Sequence, residues 1–172
     1  MNNRVLQNIF RLIILVAVQI LILNRVQFMG FINPYLYVMF ILLLPFELAK
    51  WQLLLYAFGT GLIIDIFANT YGLHAGACTL MAYARPAVLK LLTSRKEYEP
   101  GLKPGIRDLG FNWFFSYASI LILVHHAFLF FMEAFRFSEF FSTLLRVFLN
   151  GLVTLLLVFI AQYLFFKKEA RI

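Results

Sequence analysis

The side chains in this chain that could do chemistry are few, and nearly all of them lie inside long apolar stretches. Asp65, Arg85, His125, His126, Arg146 and Asn150 sit deepest. A charged group at membrane depth costs about 2.5–3.5 kcal/mol on the insertion scale, so each needs a partner or a route to water. Asp65 and Arg146 carry opposite charges at similar depths, which makes a pair across the bundle the expectation, with Asn150 one turn from Arg146 in the same network. The alternative is that each snorkels separately to the surface. Arg85 lies roughly 18 Å along its stretch from Leu73. Pro86 follows it and frees carbonyls that a guanidinium could satisfy, so Arg85 reads equally as a structural anchor or a functional contact. Arg11 and Lys90 lie near the ends of their stretches and read as snorkelling anchors.

His125-His126 invites a metal site. Consecutive helical residues point about 100° apart, so the rings do not converge on one ion, and a packed or interfacial pair is expected. Cys78 is the only cysteine. It allows no intrachain disulfide and cannot build a metal site alone. No Ser-His-Asp arrangement, HExxH, phosphate-binding loop or paired intramembrane carboxylates occur. Asp65 with His125 or His126 is the one group with catalytic potential. The expectation is a protein that is not an enzyme, with no cofactor and no metal.

The elements that must carry these residues are membrane spans. Apolar residues make up 63% of 172 positions and charged residues 13%, against roughly 45–50% and 25% in soluble domains. The chain is long enough for one domain, 1–172. Its formal net charge of +7 is spread over loops and segment ends rather than gathered in a patch, which argues against nucleic-acid binding. The first apolar run ends in Ile22-Leu23-Asn24-Arg25 with no small-residue cleavage site, so it reads as a retained span rather than a signal peptide.

The fold class expected is an all-α integral membrane bundle of six transmembrane helices, over about 5–23, 32–46, 51–68, 73–92, 111–132 and 140–166. The stretch 32–68 decides the count. As one helix it would reach roughly 45–50 Å, against a hydrocarbon core of about 30 Å, with Pro45, Glu47 and Lys50 near the midplane. As two helices it has a cytosolic turn at 47–50. Ten basic residues (Arg4, Lys50, Lys90, Arg95, Lys96, Lys103, Arg107, Lys167, Lys168 and Arg171) then share one side with both termini, and only Arg25 and Arg136 lie in loops opposite. That asymmetry places the termini in the cytoplasm. Trp51 and Trp113 both fall at the cytoplasmic interface, where tryptophan is enriched. The longest polar connector, 93–110, carries two turn signals, Pro100-Gly101 and Pro104-Gly105, and reads as a solvated loop or a docking surface.

Small residues gather mid-chain. Gly59 and Gly61 lie in the third span. Gly72-Leu73-His74-Ala75-Gly76 opens the fourth, continued by Ala77, Cys78 and Ala82, so close backbone packing between these spans is expected. The run Gly59-Thr60-Gly61-Leu62-Ile63-Ile64-Asp65-Ile66-Phe67, followed by Tyr71-Gly72-Leu73-His74-Ala75, resembles the signature region of the rod shape-determining protein MreD family. The Asn33-Pro34 pair, the short second span, the size and the layout are similar as well. The resemblance maps the family motif to Gly61, Asp65, Gly72 and Ala75. It implies a fold reminiscent of the S-components of energy-coupling-factor transporters. It also implies a non-enzymatic scaffold of the bacterial cell-wall elongation machinery, multi-pass in the inner membrane and surrounded by membrane lipid. The implied partners are an MreC-like single-span protein, the actin-like MreB filament, directly or indirectly, and the wall glycosyltransferase and transpeptidase. The alternative is an S-component-like subunit binding a small molecule such as a vitamin. Those subunits usually carry an Ala-x-x-x-Ala pattern on the first span, whereas Val5–Leu23 contains only Ala17.

Overall fold

In the computed structural model, residues 3–25, 32–92, 98 and 101–165 are described. Five long helices form the bundle: α1 (Asn3–Leu21), α3 (Lys50–Ala68), α4 (Leu73–Leu92), α6 (Phe111–Ala134) and α7 (Phe140–Phe165). Two one-turn helices, α2 (Met39–Leu42) and α5 (Ile106–Leu109), complete the set. Among the described residues, four segments are long and apolar enough to cross a membrane: Leu6–Arg25, Lys50–Ala68, Phe111–Ala134 and Phe140–Leu164. At 20 residues, α4 is as long, but His74, Gly76, Thr79, Arg85 and Lys90 make it less apolar. It is the central helix, packed against α3 on one side and α6 on the other. The α1 helix is peripheral, and among its described side chains Leu15 and Gln19 are buried.

The expected second helix, 32–46, is where structure and sequence reading part. Only seven residues are helical there: a 3-10 turn at Leu36–Val38 running into the single turn of α2. Pro34 and Pro45 bracket it. Each lacks an amide donor, and each pushes the residue before it out of helical geometry. The segment nevertheless runs lengthwise through the middle of the bundle. Asn33 and Tyr35 meet Asn150 and Thr154 of α7. Leu42 and Leu44 meet Tyr117 of α6 and Arg85 of α4. Between these ends Tyr37 to Leu44 are each 6% exposed or less. They form the core against which the long helices pack.

Backbone buried without helix or sheet must find other partners. Here side chains supply them. At one end the Asn33 N–H donates to Asn150 Oδ1 at 2.6 Å and the Tyr35 N–H to Thr154 Oγ1 at 3.0 Å. Gln19 of α1 donates to Pro34 O at 3.0 Å and accepts from the Tyr37 N–H at 3.4 Å. At the other end the carbonyls leaving α2 are met by three donors. Tyr117 takes Leu42 O at 3.0 Å, Arg11 takes Leu43 O at 3.1 Å, and Arg85 takes Leu44 O. Two guanidinium groups therefore face the negative end of a helical turn.

The chain turns at 43–49 and α3 begins at Lys50, with the Ala49 N–H bonded to Gln52 at 3.2 Å. Phe46 stacks on Tyr98 at 4.2 Å, and Trp113 lies edge-on to both. Glu47 accepts the Gly101 N–H at 3.1 Å. The described part of the 93–110 connector is thereby folded onto this end of the bundle. Its residues 93–97, 99 and 100 lie outside the described residues, as does the basic C-terminal tail after 165.

Tyr117→Phe deletes the donor to Leu42 O and the acceptor at 2.6 Å from Arg85 Nε. The expected cost is about 1–3 kcal/mol, since a buried guanidinium and a buried carbonyl both lose a partner. A lower melting temperature in detergent, followed by tryptophan emission, checks this.

Candidate functional site

Four motif residues, Gly61, Asp65, Gly72 and Ala75, come together at the joint between α3 and α4. Gly72, at φ +91, takes the chain through a left-handed turn that a side chain would strain. The first amides of α4 have no partner within their own helix. Asp65, in the last turn of α3, supplies it. Its Oδ1 accepts from the His74 N–H at 3.0 Å and its Oδ2 from the Ala75 N–H at 2.8 Å. The Thr70 hydroxyl adds a third bond to Oδ1 at 2.6 Å. The carboxylate also opposes the positive end of the helix dipole. Such reach requires the backbones to touch, and Gly61 permits it. A Cβ there would stand 2.5 Å from Ala75 Cα and 2.6 Å from Ala75 N. Gly76 serves the opposite side of α4, where a Cβ would come within 2.8 Å of the Phe128 ring of α6.

The expected Asp65–Arg146 pair is not formed. Both Asp65 oxygens are committed to the start of α4. Arg146, half-buried, lies instead 3.9 Å from Glu133 and over the Phe130 ring at 5.1 Å. Unpaired helix amides one connection away outcompete a cation on a different helix, because the carboxylate meets all three donors without leaving its turn. Asn150 stands one turn from Arg146 as expected, but its amide bonds the Arg146 carbonyl at 2.8 Å and its oxygen holds the inserted segment. Arg85 is 2% exposed. It touches Tyr117, Leu44 O and the Phe46 ring, all of them parts of the fold. Arg11, read as a snorkelling anchor, is directed inward to Leu43 O.

His125 and His126 are fully buried in a polar chain that sequence reasoning missed. His126 Nδ1 lies 2.9 Å from Ile122 O, which only accepts, so that nitrogen carries the proton. Its Nε2 then accepts from the Thr154 hydroxyl at 3.2 Å. His125 Nδ1 faces His126 Nδ1 at 3.4 Å and must be bare, which puts the His125 proton on Nε2, 2.9 Å from the Tyr37 oxygen. Tyr37 donates in turn to His74 Nδ1 at 2.7 Å. These proton positions follow from the hydrogen bonds, and one proton on each ring satisfies the chain. It ties α4, α6 and α7 to the inserted segment. Cys78 lies fully buried in the same core. Among the described residues, no three His, Cys, Asp or Glu side chains gather to hold a metal ion.

Tyr37, His74, Thr154, Gln19 and Tyr117 are the residues the sequence reading passed over. A signal existed for some of them. Arg146, Asn150 and Thr154 recur every four residues and so share one helix face. Gln19 interrupts an apolar run. Nothing local ties Tyr37 to His74, 37 residues away.

No family model, curated protein or solved structure matches this chain in comparison.

Gly61→Ala and Gly59→Ala separate close packing from helix propensity. The first is expected to cost about 1–3 kcal/mol through overpacking. The second has nothing within 4 Å and should be neutral or stabilise by up to about 1 kcal/mol. Asp65→Ala should cost about 1–2 kcal/mol, and Asp65→Asn less, because the amide oxygen still accepts. Melting curves of the four variants in one detergent check the order.

Proposed function

We propose that this chain is a non-enzymatic scaffold of the bacterial inner membrane that resembles the MreD family and helps to set rod shape by holding partners of the cell-wall elongation machinery. It crosses the membrane six times with both termini in the cytoplasm, the inserted 33–46 segment being the second crossing. Its partners are an MreC-like single-span protein, an MreB-like filament reached directly or through others, and the wall glycosyltransferase and transpeptidase.

The observation that carries this reading is the α3–α4 joint. Gly61, Asp65, Gly72 and Ala75, the residues of the resemblance, meet there to cap one helix with another. Their chemistry is structural. The same holds of Arg85 and the histidines, whose bonds run to the inserted segment or to neighbouring helices. A protein whose buried aspartate, arginine and histidines are bonded in this way offers its surroundings mainly its outer faces. That suits a scaffold better than a catalyst. A substrate-binding transporter subunit keeps a ligand between its helices, whereas Tyr37 to Leu44 lie buried in the core here, which favours the scaffold reading.

Affinity purification of the full chain in mild detergent tests the reading. A single-span protein with a large extracytoplasmic domain should copurify, and depletion should round the cells. Growth that becomes vitamin-dependent with unchanged shape would overturn it in favour of transport. Reporters fused after Lys50 and after Tyr71 should read cytoplasmic and periplasmic respectively; the reverse would overturn the topology.

A further inference from the structure

We propose that the outward stripe of α4 centred on Tyr83 seats one partner transmembrane helix, and that this helix presents a hydrogen-bond acceptor near its middle. The inference rests on the scaffold reading and names the surface it would use. With α3 and α6 on its two sides and His74, Cys78, Met81 and Arg85 directed inward, α4 has one face left. That face carries Leu80, Tyr83, Ala87 and Leu91, with the exposed Lys90 at its far end. Tyr83 is 74% exposed. It stands about 15 Å from the start of α4, at the centre of a hydrocarbon layer about 30 Å thick.

That is the wrong depth for an isolated tyrosine. Membrane tyrosines gather at the interfaces, where the ring is in lipid and the hydroxyl in water. From the centre, a phenol has no long flexible stem with which to reach either surface. The Tyr83 hydroxyl makes no hydrogen bond among the described residues, and acyl chains offer no acceptor. Of the exposed side chains near this depth elsewhere, Ile13 and Ile14 on α1, Phe58 and Leu62 on α3, and Leu152 and Leu156 on α7 are apolar and suit lipid, while Tyr56 of α3, at 44%, is less exposed than Tyr83. A helix bearing Ser, Thr, Asn or Gln at mid-depth, or a carbonyl freed by proline, would meet the hydroxyl. Ala87, one turn along, leaves room for its backbone to approach.

The test uses the full chain in native membranes with a photo-crosslinking residue at Leu80 or Leu91, Tyr83 being retained, and at Leu152 as the control. Leu80 and Leu91 should yield adducts whose linked peptide maps to the transmembrane segment of a single-span protein, while Leu152 yields lipid alone. Tyr83→Phe, at an exposed site that folding does not need, should lower the Leu80 adduct about threefold or more, the worth of one interhelical hydrogen bond. Adducts arising chiefly at Leu152, adducts with a second copy of this chain, or a yield unchanged by Tyr83→Phe would each overturn the proposal. A single-span protein that copurifies but cross-links through another face leaves the scaffold reading standing without this surface. If none copurifies, both fall.

Discussion

The constraint on which the rest of this structure depends is the buried backbone of residues 33–46. A chain that breaks its helix inside a membrane bundle exposes amides and carbonyls that water cannot reach, and each unmet group costs free energy comparable to a lost hydrogen bond. This protein meets them with side chains from its surrounding helices. Asn150, Thr154 and Gln19 take the amides at one end, and Tyr117, Arg11 and Arg85 take the carbonyls at the other. The deep positions of Gln19, Arg85, Asn150 and Thr154 are explained by that need. The cost of placing an arginine so deep is offset because the guanidinium finds the end of a helical turn rather than hydrocarbon.

The α3–α4 joint follows the same logic on a smaller scale. A carboxylate at the end of one helix supplies acceptors to the start of the next, and a glycine removes the one side chain that would hold them apart. The histidine–tyrosine chain then links the start of α4 to α6 and α7 through Tyr37 of the inserted segment. Tyr37 is held by His74 of α4 and His125 of α6 together, so loosening one helix loosens its neighbour. The outer surface is left apolar over most of its area. Tyr83, at the middle of α4, interrupts that surface, as does Tyr56 on α3.

Sequence alone located the long helices well, because length and apolarity are properties of a single segment. It also singled out Gly61, Asp65, Gly72 and Ala75, whose near spacing in the chain keeps them near in space. It failed where rotation about a helix axis mattered. Asp65 and Arg146 share a depth, but depth does not say which way a side chain points, and the bare amides of α4 were closer. The 32–46 segment was read as a helix because it is apolar, although Pro34 and Pro45 already marked both of its ends. Arg85 stayed undecided since its partners, Leu44 and Tyr117, lie 41 and 32 residues away. The pairing of Tyr37 with His74 and His125 had no local signature at all.

Amide hydrogen exchange over Tyr37–Leu44 in the detergent-solubilised or nanodisc-embedded chain is the most direct test of the central claim. In the wild type these amides should exchange as slowly as the middle of α6, despite the short helical content of the segment. In Arg85→Met they should speed up selectively, with α6 and α7 still protected. Fast exchange in the wild type, or a segment indifferent to the loss of Arg85, would contradict the account.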